Sequence, residues 1–147
     1  MRLQTSILRA VLTFLVFAAA SSNVPGQQKQ PSTVWDQVYS TEQAVRGEKS
    51  YRENCASCHG TSLAGKGQNP PLTGSEFTAN WNGRSLGELF DKMQNSMPAD
   101  RPGKLDPPVN AGILAYILKT AGFPAGGTDL AASTQALSSI EFRKDPR

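Results

Sequence analysis

Cys55-Ala56-Ser57-Cys58-His59 places two thiols three residues apart, with an imidazole directly after the second. A thiol can add to a vinyl group to form a thioether, and an imidazole nitrogen can ligate iron, so this order of side chains matches the attachment motif of a c-type haem. The two residues between the cysteines suit the spacing of two vinyls along one porphyrin edge. His59 is the only histidine in the chain, so no other imidazole competes for the iron. Three other chemistries use such thiols. Zinc usually takes four sulfur or nitrogen ligands, and the chain offers two cysteines and one histidine in all. A thiol–disulfide exchange pair is expected at the start of a helix that follows a strand, where the helix N-terminus lowers a thiol pKa, whereas here the pair follows a helical pattern. The third alternative is a structural disulfide in an exported binding module that holds no haem.

A haem held through His59 has a second axial position. Met97, in Asn95-Ser96-Met97-Pro98, is the candidate occupant, because Pro98 lacks a backbone donor and holds the residue before it extended. Met93 shares the helical phase of Leu86, Leu89 and Phe90 and reads as core. With both positions filled by His59 and Met97, iron can exchange one electron without any covalent bond being made or broken. An open sixth position would instead define a haem enzyme or gas sensor, although no second imidazole is present for acid–base work there. The first reading assigns no catalytic residue, and the protein is then not an enzyme.

Helices must position these groups. Ser40 and Gln43 resemble a capping box, Glu42 falls in the first turn, and a helix is predicted from Thr41 to Asn54 with Ala44, Gly47 and Tyr51 on one face. Residues 60–71 are rich in Gly, Ser, Asn and Pro and read as loop. Ser85 and Glu88 form a second capping box ahead of an apolar stripe that ends near Asn95. Pro107 and Pro108 precede the most apolar helix, Val109 to about Thr120, with Gly122 as its stop and Gly47 as the point where it crosses the first helix. No alternating pattern is long enough for a sheet, so the fold class is all-α.

Residues 1–20 have a positive start, an apolar stretch from Ile7 to Phe17 and small residues at Ala18-Ala19-Ala20, which reads as a secretory signal peptide, with an uncleaved anchor as the alternative. Residues 21–34 read as a flexible leader, 35–123 as the domain, and 124–147 as a flexible or weakly helical tail. Cleavage removes Arg2 and Arg9 from the 15 basic residues, leaving 13 against 12 acidic ones. The formal charge of +3 for the whole chain therefore overstates its basicity, and no basic patch or motif points to nucleic acid. The mature protein is expected to be soluble in the periplasm, without stable membrane insertion.

The order Gly47, Tyr51, Cys55-Ala56-Ser57-Cys58-His59, Pro70-Pro71-Leu72, Trp81, Met97-Pro98 and Ile113-Leu114-Ala115-Tyr116 resembles class I, monohaem cytochrome c over residues 43–121. The resemblance implies a cytochrome c fold of three to five helices wrapped around one covalent haem c with its iron. It implies a Pro70 carbonyl that accepts the proximal histidine's Nδ1–H, and a Trp81 that borders the haem propionates. Arg84, Arg101 and Lys104 could also reach a propionate, although exposed cations usually mark solvated surface. The string from Val38 to Gly47 is similar to exported bacterial cytochromes that serve periplasmic dehydrogenases. The implied partners are redox proteins met by transient docking, a quinoprotein dehydrogenase and a terminal oxidase among them.

Overall fold

Ser40 sets the start of helix α1 (Thr41–Asn54), its hydroxyl accepting from the Gln43 N–H at 3.0 Å and so satisfying one of the free donors of the first turn. The Gln43 side chain does not turn back to complete the capping box. Instead its amide donates to the Leu130 carbonyl at 2.9 Å and accepts the Leu130 N–H at 2.7 Å, far along the chain. The computed structural model describes residues 32–146, so the expected signal peptide at 1–20 and the leader as far as 31 lie outside the described residues.

The described order is β1 (Ser32–Thr33), α1, α2 (Ala56–His59), α3 (Gly74–Trp81), α4 (Leu86–Ser96), α5 (Pro107–Thr120), α6 (Thr134–Leu137) and β2 (Ile140–Glu141). The fold is mostly helical, with six helical segments among the described residues where three to five are expected. Two of the extra segments, α2 and α6, have four residues each, too few to show a 3.6-residue period. Helix α3 carries only Phe77 and Trp81 as large apolar residues, and its sequence had no stripe to reveal it.

Helix α5 is the centre of the core. Every residue from Asn110 to Leu118 is buried, which is the signature of a helix covered on all sides. It ends in a Schellman arrangement: Gly122 (φ 89°) donates to the Lys119 carbonyl at 3.1 Å, and Phe123 to that of Leu118 at 3.1 Å. Helix α1 crosses α5 where Gly47 meets Gly112, and a Cβ at Gly47 would overlap the Gly112 carbonyl. The ring of Tyr51, one turn later, packs on that of Tyr116 with centroids 5.4 Å apart. Helix α4 begins with a complete capping box, Ser85 accepting from the Glu88 N–H and Glu88 accepting from the Ser85 N–H.

The segment after Phe123, expected to be flexible or weakly helical, carries the short helix α6 and packs on the body of the fold. Leu130, Leu137 and Phe142 are all buried in the core. Phe142 packs edge-on against Phe77 and Phe123, with centroids 5.8 and 5.2 Å away. Strand β2 pairs in parallel with β1, Ser32 opposite Ile140 and Thr33 opposite Glu141, and Glu141 also bridges antiparallel to Ser85. Residues 32–34, expected as part of a flexible leader, instead belong to the fold: Ser32 and Thr33 form β1, and Val34 is fully buried. Gln43 clamps Leu130, the Tyr39 hydroxyl donates to the Phe123 carbonyl at 2.7 Å, and Asp129 accepts from both Ser40 and Arg46. These bonds lay residues 123–130 across the start of α1.

Candidate haem-attachment site

Helix α1 stops at Asn54, and the next turn begins at once: the His59 N–H donates to the Cys55 carbonyl at 2.9 Å and the Cys58 N–H to the same carbonyl at 3.1 Å. Residues three and four apart on such a turn share a face, so the spacing in sequence puts both thiols and the imidazole on one side of the turn. The turn is fixed to α1 by the Tyr51 hydroxyl, which donates to the Gly60 carbonyl at 2.7 Å. Tyr51 is 0 % exposed, and burial raises its phenol well above the usual tyrosine range.

The loop after His59 folds back beneath it. Gly60 and Gly65 both take positive φ, and a side chain on Gly65 would press on the Asn69 carbonyl at 2.7 Å and the Pro71 nitrogen at 2.9 Å. Leu63 is fully buried in the left-handed region, at φ 61°, and its carbonyl accepts from Leu72 at 2.8 Å. The closed loop brings the Pro70 carbonyl 2.8 Å from His59 Nδ1. A carbonyl only accepts, so the proton sits on Nδ1, and Nε2 is left with its lone pair. His59 is 8 % exposed, yet no buried side-chain nitrogen or oxygen lacks a partner among the described residues, so the unbonded Nε2 opens onto accessible space.

This arrangement fits a tethered haem. Cys55 and Cys58 are free thiols, the first half-buried and the second exposed, and no disulfide joins them. Burial pushes the Cys55 thiol up to about 11, against the opposing pull of the nearby Arg101 guanidinium. Among the described residues, no three His, Cys, Asp or Glu side chains converge as ligands of one bare ion.

Met97 is the C-cap of α4, half-buried, with its N–H on the Met93 carbonyl at 3.1 Å, while Met93 itself lies in the core. Arg101, farther along the same loop, donates to Asn54 Oδ1 at 2.8 Å and so ties the Met97 loop to the residue preceding Cys55. Nothing in the sequence pattern marked that bond. Trp81, half-buried at the end of α3, packs near Phe77 with centroids 6.4 Å apart, under the Arg84 guanidinium at 4.4 Å. Arg84 also holds Glu88 at 3.0 Å, so that cation already has two partners. The Trp81 indole N–H has no hydrogen-bond partner among the described residues. Sequence reasoning missed the Tyr51–Gly60, Arg101–Asn54 and Arg84–Trp81 contacts, since each depends on how the loops fold.

A mostly helical body that presents Cys55, Cys58 and His59 in this way matches the c-type haem attachment motif and is consistent with one covalent haem c and its iron. A family model described as "Cytochrome C oxidase, cbb3-type, subunit III" matches residues 42–117, just over half the chain, and the chain belongs to that cytochrome-c-like family. A search of curated proteins found no match. Among solved structures the chain is similar to one titled "Crystal Structure of the Sulfane Dehydrogenase SoxCD from Paracoccus pantotrophus", with a TM-score of 0.49 and 20 % identity over 74 % of this chain. The match spans 61 % of the length of that chain. No helix among the described residues is long and apolar enough to cross a membrane.

Proposed function

We propose that this protein is a class I, monohaem one-electron carrier in which His59 and Met97 are the axial ligands of a haem tethered through Cys55 and Cys58. The observation that carries the reading is the 2.8 Å bond from His59 Nδ1–H to the Pro70 carbonyl, which fixes the tautomer and ring orientation a proximal ligand needs. When bound, the haem supplies an iron that changes by one electron. The chain's own residues do the rest. The α1–α5 crossing and the Tyr51 hydroxyl hold the attachment turn rigid, so electron exchange asks for little rearrangement. The Met97 thioether is a soft donor that favours the reduced ion and raises the potential relative to two imidazoles. The place of Trp81 beside the propionates is what the resemblance to class I cytochrome c implies.

The charged-then-apolar start of the sequence supports export and a soluble periplasmic protein after cleavage. Membership in a family described by an oxidase subunit favours a terminal oxidase as acceptor. The Val38–Gly47 string favours a dehydrogenase, quinoprotein types included, as donor. Both would dock transiently through small interfaces.

Denaturing mass spectrometry of protein co-expressed with haem-attachment machinery is the first test, and a retained haem mass is expected. Oxidised wild type should then show the long-wavelength charge-transfer band of sulfur bound to ferric iron, and Met97→Ala should lose it. A mass equal to the polypeptide alone overturns the assignment. A retained haem whose spectrum does not change in Met97→Ala overturns the ligand pair and leaves an open-site haem protein.

A further inference from the structure

The loop that follows Met97 is anchored at two points. On its inner side Gln94 Nε2 donates to the Leu105 carbonyl at 2.8 Å, while Gln94 Oε1 accepts from Asn110 Nδ2 at 3.0 Å. Asn110 is 2 % exposed on α5, so this anchor reaches the core. On its outer side Arg101 Nη2 donates to Asn54 Oδ1 at 2.8 Å. Asn54 is itself oriented, because its Nδ2 donates to the Ser50 carbonyl at 2.8 Å and leaves Oδ1 turned toward the loop. The Arg101 N–H in turn donates to the Pro98 carbonyl at 2.9 Å. A continuous path therefore runs from Cys55 through Asn54 and Arg101 to Pro98 and Met97, joining the thioether attachment point to the sulfur loop on 2.8 and 2.9 Å bonds.

We infer that Arg101 is a positioning residue for Met97: by bonding Asn54 it holds the loop over the attachment turn and keeps the thioether on ferric iron. This rests on the His59/Met97 reading above. The inner anchor fixes the far end of the loop at Leu105, whereas Arg101 acts within three residues of Pro98 and is the nearer restraint on the sulfur. Its energetic scale is that of one charge-assisted hydrogen bond at a partly exposed site, so its loss loosens the sulfur without releasing the fold.

The test uses the oxidised holoprotein and imidazole as a competing ligand, following the decay of the sulfur-to-iron band. Arg101→Gln and Asn54→Ala should each speed displacement roughly three- to tenfold. The double variant should be no faster than the faster single variant, because both remove one bond. Arg101→Lys, able to donate to Oδ1, should recover part of the effect. Lys92→Gln, which removes an equal charge from an exposed position on α4, should stay within about twofold of wild type. Amide exchange should rise at residues 98–104 in Arg101→Gln while thermal unfolding hardly changes. If the band is present and lost in Met97→Ala, but Arg101→Gln matches wild type or Lys92→Gln matches Arg101→Gln, the inference is overturned alone. If wild type lacks the band, the ligand reading falls and the inference falls with it.

Discussion

Gly47 and Gly112 face each other across the α1–α5 crossing, but not symmetrically. A Cβ on Gly47 would overlap the Gly112 carbonyl and lie 3.0 Å from the Ile113 nitrogen, whereas one on Gly112 would sit 3.5 Å from the Gly47 Cα, an ordinary contact. The attachment turn follows directly from α1, so this contact sets where the thiols stand against the core.

Gly47→Ala should therefore cost at least about 2 kcal/mol, because backbone is what it strikes and neither helix can yield locally. Gly112→Ala should be within about 1 kcal/mol of wild type, the gain in helix propensity offsetting mild crowding. Urea unfolding of the two holoproteins measures the difference, and equal losses would show that the crossing is not limited at Gly47.

Phe142→Ala tests whether the C-terminal segment belongs to the core. The side chain is 0 % exposed between Phe77 and Phe123, so its removal should cost about 3–5 kcal/mol. A change below about 0.5 kcal/mol would mean that the segment does not stay packed.

Gln43→Ala removes both bonds to the Leu130 backbone and leaves a buried N–H and C=O without partners. A loss of about 2–4 kcal/mol is expected. Hydrogen exchange should accelerate first at Leu130, before α5, since the clamp acts on the covering segment.

The Tyr51 phenol titrates higher in the folded chain than in the unfolded one, chiefly through burial. Its contribution to stability is therefore complete below about pH 10, the unfolded value, and declines as pH rises from there toward the folded value. Tyr51→Phe should cost about 1 kcal/mol near neutrality through loss of the Gly60 bond. Above pH 10 the gap should narrow, because the variant has no Tyr51 ionisation to favour unfolding. Urea midpoints at pH 8 and about pH 11 check the sign.

The main helices are legible in the order of residues alone. The span Thr41–Asn54 agrees with α1 at both ends, and the Ser85–Glu88 box and the Pro107-Pro108 start reflect short-range hydrogen bonding and steric rules written within a few residues. Helix α3 was missed because two large apolar residues make no stripe, and the sheet because two-residue strands have no alternation to display. The segment after Phe123 reads as a flexible or weakly helical tail because its apolar residues, Leu130, Leu137 and Phe142, lie apart among Ala, Ser and Thr. Only their burial against α1, α3 and α4 reveals them as core.

By itself the sequence determined which atoms are available for chemistry: two thiols and one imidazole within a single turn, because residues three and four apart share a face whatever surrounds them. The tertiary structure decided how that imidazole is oriented and what ties the loop after Met97 to the end of α1. The Pro70 carbonyl reaches Nδ1 only after Leu63 and Gly65 close a loop, and Arg101 meets Asn54 across 47 positions. Such bonds depend on chain segments brought together by the burial of α5, and no local pattern encodes that meeting.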